Sequence, residues 1–180
     1  MKAIHIVGRK KSGKTSLIVR LLPSLRACGL KVATVKHSRQ PHTLDVKDTD
    51  SWKHRQAGAE ATLVLTPSAG AFHFSHEDKG VEVASLLTHY LGEMDLVLVE
   101  GWKERPATRI EVLGAAEEGE HLPLQSGAGS DLLAVVFGPA VTKPSVDDLD
   151  PRLRAFMWDD PEGVAAAILD WMRLEETKPQ

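Results

Sequence analysis

Apolar and polar positions along the chain alternate between short runs and spaced stripes. Lys2 to Val7 is a short apolar, β-branched run, the pattern of a buried strand. From Lys14 to Ala27 the residues Leu17, Ile18, Leu21, Leu22 and Leu25 recur three and four apart, which makes one buried helical stripe. Pro23 falls inside that stripe and predicts a kink or an early end. Gly29 suits a C-terminal cap. Leu30 to Lys36 is a second strand. Strand, helix and strand at this spacing predict a βαβ unit with parallel strands and a right-handed crossover.

Beyond it, His37 to Thr49 has no clean period and reads as a loop containing Pro41. Asp50 or Ser51 then caps a short helix that runs to about Ala57 and stops at Gly58. Ala61 to Leu65 and Ala71 to Ser75 flank a turn at Pro67, Ser68 and Gly70, and predict an antiparallel hairpin on an otherwise parallel sheet. Gly80 to Tyr90 predicts a helix with Val81, Ala84, Leu87 and Leu91 inward. Leu96 to Val99 is continuously apolar, as a strand buried on both faces should be. Arg109 to Leu113 and Leu132 to Phe137 are further strands. Ala115 to Asp131, rich in Gly, Glu and Ser, reads as a surface loop. Asp160-Pro161 opens a last helix to about Leu174, with Asp at the cap and Pro at the first position.

At 180 residues, with 42% hydrophobic and 26% charged, the chain has the make-up of one globular domain. The expected division is a single domain over residues 1–174 and a polar tail over 175–180. Cys28 is the lone cysteine, so no intrachain disulfide can form, which fits a reducing cytoplasm. No apolar run has the length of a membrane span, and the first residues lead straight into a strand, so neither a membrane partner nor a signal peptide is expected. Charge is unevenly spread. Through Leu44 there are ten Lys or Arg and no Asp or Glu, whereas twelve basic and twenty-five acidic residues follow. A basic field of this kind favours a polyanionic ligand. Nucleic acid is the poorer candidate, because the first fifty residues hold no Phe, Trp or Tyr to stack on bases.

The segment Gly8-Arg-Lys-Lys-Ser-Gly13-Lys14-Thr15 supplies the reason for that field. It matches G-x-x-x-x-G-K-[ST] and lies between a strand and a helix, the context the motif requires. The expected fold is therefore a three-layer α/β, P-loop NTPase-like domain, mostly parallel, with the antiparallel hairpin. Gly8 lets the chain leave the strand sharply, and Gly13 lets the backbone close on a phosphate oxygen. Lys14 is placed to bridge β- and γ-phosphate oxygens. Thr15 offers a hydroxyl to Mg²⁺, and Ser16 faces the α-phosphate. Glu100 ends its strand on the same edge, where it can hold Mg²⁺ through water or orient an attacking water. Lys14 and Glu100 are thus the candidate catalytic residues. The first carboxylates of the chain, Asp45, Asp48 and Asp50, follow the second strand, and Asp45 and Asp50 join Thr15 and Glu100 as metal candidates. His37, His42 and Asp45 match no standard metal-ligand spacing.

Three pieces, GRKKSGKT, VKHS with a downstream Asp50-Ser51-Trp-Lys-His-Arg55-Gln-Ala57-Gly58-Ala59, and DLVLVEGWK, together resemble the molybdopterin-guanine dinucleotide biosynthesis adaptor family, MobB. The resemblance extends from Met1 to about Lys103. It implies a P-loop fold that binds GTP with Mg²⁺, forms a homodimer and assists the MobA-type guanylyltransferase that attaches GMP to molybdopterin, with molybdopterin itself a candidate ligand. It also implies that Gly8, Lys11, Ser12, Gly13, Lys14, Thr15 and Ser16 hold the phosphates, with Glu100 and the Asp45–Asp50 region near the metal. The family often has Gly-Lys-Asp-Ser where this chain has Asp48-Thr49-Asp50-Ser51, and no Asn-Lys-x-Asp motif is present to read guanine. The charged stretch Trp102-Lys103-Glu104-Arg105 is a candidate partner surface.

The leading expectation is a GTP-binding adaptor with weak hydrolysis at most. A small-molecule kinase is disfavoured, because the acidic Ala115–Asp131 loop lacks the arginine of a phosphate lid. A metal-insertion GTPase would carry its metal on the His37–Asp50 loop.

Overall fold

The computed structural model describes residues 2–38, 44–74, 83–102, 107–114, 131–141 and 153–177. The expected surface loop, apart from Asp131, and the charged stretch after Trp102 lie outside them. In chain order the elements are β1 (Lys2–Gly8), α1 (Lys14–Ala27), β2 (Val32–Lys36), α2 (Asp50–Gln56), β3 (Ala61–Leu65), β4 (Gly70–Phe74), α3 (Val83–Leu91), β5 (Leu96–Glu100), β6 (Arg109–Leu113), β7 (Leu132–Phe137), β8 (Arg154–Met157) and α4 (Pro161–Thr177). Contacts gather the chain into two compact units, Met1–His37 with Leu91–Gln180, and Ser38–Tyr90.

The larger unit holds a six-stranded sheet in the order β2-β5-β1-β6-β7-β8, with every pair parallel. β1 and β2 are parallel, as the βαβ spacing requires, but they are not neighbours. β5 lies between them, in register with both. Its five residues are all buried, which is why its sequence is apolar without alternation.

Strand alternation sorts the side chains onto two faces. Ile4, Ile6, Leu98, Ile110, Val112 and Val136 pack with Leu17, Leu21 and Leu25 of α1 and with Val164 and Ile168 of α4. These two helices pack on each other and so share one face. Val7, Val97, Val99 and Val135, which alternate with that set, are buried on the other. Pro23 does not end α1, which continues to Ala27. The carbonyl that proline crowds belongs to Val19, and both residues lie on the exposed flank, where the helix can give way toward water. α4 begins as its sequence predicts, with the Asp160 carboxylate accepting from Gly163 N–H at 2.9 Å.

β8 has no sequence forecast. It is a four-residue edge strand, half-exposed and without alternation, so no period marks it.

In the smaller unit the hairpin forms as predicted, but not on the main sheet. β3 and β4 make a two-stranded antiparallel sheet of their own. Thr49, rather than Asp50 or Ser51, caps α2, and its side chain accepts from Trp52 N–H. Of the inward positions expected on α3, Val81 and the side chains of Ala84 and Leu87 lie outside the described residues.

Candidate functional site

The carboxyl edge of the main sheet is built around the turn from β1 into α1. Gly8 has φ +149°, and a Cβ there would stand 2.3 Å from the Val112 carbonyl oxygen and 2.7 Å from Ser12 Oγ. Lys11 takes a left-handed φ of 64°. Gly13, at φ +102°, is the N-cap of α1, and its missing side chain leaves room for Pro139 Cδ, which a Cβ would meet at 2.5 Å. The first N–H groups of α1 therefore receive no side-chain cap, and its first turn carries no acid. An uncapped helix start preceded by a Gly-rich turn is a cradle for a phosphate. Lys14 Nζ folds back to the Arg9 carbonyl at its rim.

Ser12 occupies the floor of this loop. It is 2% exposed, and its Oγ has no hydrogen-bond partner among the described residues. Its backbone rests on two glycines beyond the motif. A Cβ on Gly138 would stand 2.0 Å from the Ser12 carbonyl oxygen, and one on Gly114 would stand 3.3 Å from Ser12 Cα. The ends of β6 and β7 thus support the loop from below.

Glu100 closes the site from β5. The register pairs Ile6 with Glu100 on one side and Lys36 with Glu100 on the other. The Glu100 side chain is 10% exposed. Its Oε1 accepts from Thr15 Oγ1 at 2.9 Å and from Lys36 Nζ. Two of the predicted metal candidates, Thr15 and Glu100, are therefore brought into direct contact. A hydroxyl and a buried carboxylate beside a phosphate cradle form an oxygen donor set that suits Mg²⁺. Lys14 and Ser16 begin α1 on the same edge.

The other two candidates belong to the smaller unit. Asp45 Oδ2 accepts from Arg55 Nε at 3.2 Å and from Arg55 Nη2 at 2.9 Å, while Oδ1 accepts from Ser51 Oγ at 3.2 Å. Burial pushes the Asp45 carboxyl up, but the Arg55 and Ser51 hydrogen bonds and the Arg55 charge outweigh it, so its pKa lies below the ordinary value. Asp45 thereby ties the start of this unit to α2. The Asp50 side chain is exposed, 3.4 Å from Lys53 Nζ. Among the described residues no group of three or more His, Cys, Asp or Glu is placed to hold a metal by itself.

Beside Glu100 the chain turns through Gly101 (φ +94°) and Trp102 (φ 65°). The Trp102 ring stacks on His37 at 4.4 Å with 3° between planes. Neither this stack nor the supporting glycines is part of the motif. One signal for the glycines is in the sequence all the same: Gly101, Gly114 and Gly138 each directly follow a strand of the parallel sheet.

A strand of a parallel sheet that delivers a G-x-x-x-x-G-K-T loop to an uncapped helix, with a carboxylate on the next strand in contact with the loop threonine, is the construction of a P-loop nucleotide-binding protein. The family profile described as molybdopterin guanine dinucleotide synthesis protein B, MobB, matches residues 3–138. The chain belongs to that family.

It is 33% identical over 108 residues to the molybdopterin-guanine dinucleotide biosynthesis adapter protein of Haemophilus influenzae, covering 59% of this chain and 60% of that protein. To the adapter protein of the same name from Escherichia coli it is 27% identical over 168 residues, or 90% and 88% of the two chains. It spans 42% of a relative from Methanocaldococcus jannaschii, to which it is 35% identical over 104 residues. The crystal structure of a molybdopterin-guanine biosynthesis protein B superposes with a TM-score of 0.69 at 32% identity, covering 95% of this chain and 99% of that one.

Proposed function

We propose that the chain is a GTP-binding adapter of molybdopterin-guanine dinucleotide biosynthesis that assists the attachment of GMP to molybdopterin. The observation that carries the nucleotide half is the meeting of the uncapped α1 start, Lys14 and the Thr15–Glu100 contact on one sheet edge. Family membership carries the adapter half.

In this reading Gly8, Lys11, Ser12 and Gly13 shape the cradle, and backbone N–H groups from Gly13 to Ser16 face the phosphates. Lys14 leaves the Arg9 carbonyl for the β- and γ-phosphate oxygens. Thr15 Oγ and the Glu100 carboxylate hold Mg²⁺, which neutralises phosphate charge when bound. Asp45 keeps its place as the clasp on Arg55, and Asp50 stays on the exposed first turn of α2. The contact with Thr15 sets Glu100 to position the metal rather than to activate water. That makes an adapter rather than a fast hydrolase. The guanine preference rests on the family.

No helix among the described residues is long and apolar enough to cross a membrane, and the reading places the adapter in the cytoplasm. Its partner is a MobA-type guanylyltransferase. In a reconstituted assay with that transferase, molybdopterin and limiting GTP, the wild-type chain should raise the yield of dinucleotide, and Lys14→Ala should not. Equal stimulation by both would refute the nucleotide-dependent adapter.

The homodimer is proposed to form through the hairpin. Leu63, Leu65, Phe72 and Phe74 lie on one hairpin face, next to Tyr90, and are 61%, 74%, 44%, 38% and 48% exposed in that order. An apolar face this open is suited to pairing with a second copy. Sedimentation should give twice the 19.6 kDa chain mass for wild type and a monomer for the Phe72→Ser, Phe74→Ser double variant. A monomeric wild type would contradict the dimer.

A further inference from the structure

Lys36 ends β2 directly opposite Glu100, and its ammonium donates to the carboxylate oxygen that also receives the Thr15 hydroxyl. This lysine is outside the phosphate-loop motif. The two ends of the ion pair differ in setting, with the Glu100 side chain 10% exposed and that of Lys36 58%. A carboxylate so enclosed, beside a loop built for phosphates, needs a cation close by. Lys36 supplies that cation within the protein itself.

An ammonium against Oε1 and a divalent metal held by Thr15 and Glu100 repel each other at such short range. A lysine with a mostly exposed four-carbon stem can swing aside at little cost, whereas Glu100, fixed at the end of a fully buried strand, cannot.

We propose that Lys36 is a built-in counter-ion, a positioning residue that holds Glu100 and Thr15 together until Mg²⁺ with nucleotide displaces it. The proposal rests on the reading of this site as a Mg²⁺–nucleotide site and goes one residue further. Lys36 and the metal would compete for the Glu100 carboxylate, so each would weaken the other's hold by the same factor. Without Lys36, metal-free protein presents an unbalanced carboxylate to the incoming phosphates, and Mg²⁺ meets no competitor. Nucleotide binding then depends more steeply on the metal.

The test is the GTP dissociation constant measured in Mg²⁺ and again in EDTA, for wild type, Lys36→Met and Lys36→Arg. The ratio of the EDTA value to the Mg²⁺ value should rise by about tenfold or more in Lys36→Met and stay near wild type in Lys36→Arg, which keeps the charge. In a Glu100→Gln background the Lys36→Met change should leave the ratio unaltered, because the competing charge is gone. An unchanged ratio in Lys36→Met, with wild type binding GTP normally, overturns the counter-ion role and leaves the site itself standing. Failure of wild type to bind GTP in either buffer overturns both.

Discussion

Lys14→Ala should weaken nucleotide binding by about a hundredfold while leaving the fold intact. The side chain lies at the rim of the cradle, reaching back to the Arg9 carbonyl, and takes no part in the apolar core. In the proposed site it would make charge-assisted hydrogen bonds to two phosphates of the bound nucleotide. Such bonds are worth about 1.5–3 kcal/mol each, and about 3 kcal/mol corresponds to the hundredfold loss. Because the core is untouched, the melting temperature should move by no more than about 2 °C. Calorimetric titration and thermal melts on the same preparation separate the two effects. Full affinity in the variant would mean that the loop is a turn with an exposed lysine and nothing more.

Gly138→Ala should be nearly as damaging, although Gly138 is 125 residues beyond Gly13 in the chain. Its added methyl would stand 2.0 Å from the Ser12 carbonyl oxygen and 3.0 Å from that of Leu113. Both obstacles are backbone, so no side-chain rotation relieves them. Either the phosphate loop lifts from the sheet or the end of β7 retreats. Overpacking of this kind costs about 1–3 kcal/mol, a fall of roughly 3–10 °C in melting temperature. The displaced loop should also lose more than about tenfold in nucleotide affinity. Gly29→Ala provides the control. Gly29 has φ +84° with nothing within 4 Å of a Cβ, so its substitution strains the backbone alone. It should lower the melting temperature without changing affinity. If Gly138→Ala binds as wild type does, the end of β7 does not support the loop.

The parts of the fold that sequence revealed are those in which one local pattern decides the outcome. The β-branched run of β1, the leucine stripe of α1 and the unbroken apolar run of β5 each announce their element. The Asp160-Pro161 start of α4 does so too, because its cap is satisfied within three residues. What stayed hidden depends on distant pairing. Nothing within Leu96–Glu100 says that this strand inserts between β1 and β2, yet that insertion puts Glu100 against Thr15 and Lys36. Likewise the hairpin can be read from its turn residues, but whether it joins the main sheet is decided by partners elsewhere. β8 is too short and too exposed to carry a period.

The site divides along the same line. Gly8 to Ser16 form a contiguous motif whose geometry is local, and Glu100 could be placed from the rule that parallel strands share a functional edge. Lys36 could be placed on that edge too, but its role could not, since nothing short of the strand order sets it opposite Glu100. Gly138 and Gly114 act through the space they leave beneath Ser12, which shows in the sequence only as a glycine directly after a strand.

Titrating the wild-type chain with GTP and with ATP, each in Mg²⁺ and in EDTA, decides whether Lys14, Thr15 and Glu100 form a Mg²⁺-dependent guanine-nucleotide site. One GTP should bind per chain, saturably, more tightly with Mg²⁺ than without and more tightly than ATP. Absence of GTP binding, or ATP binding as tight as GTP, would contradict it.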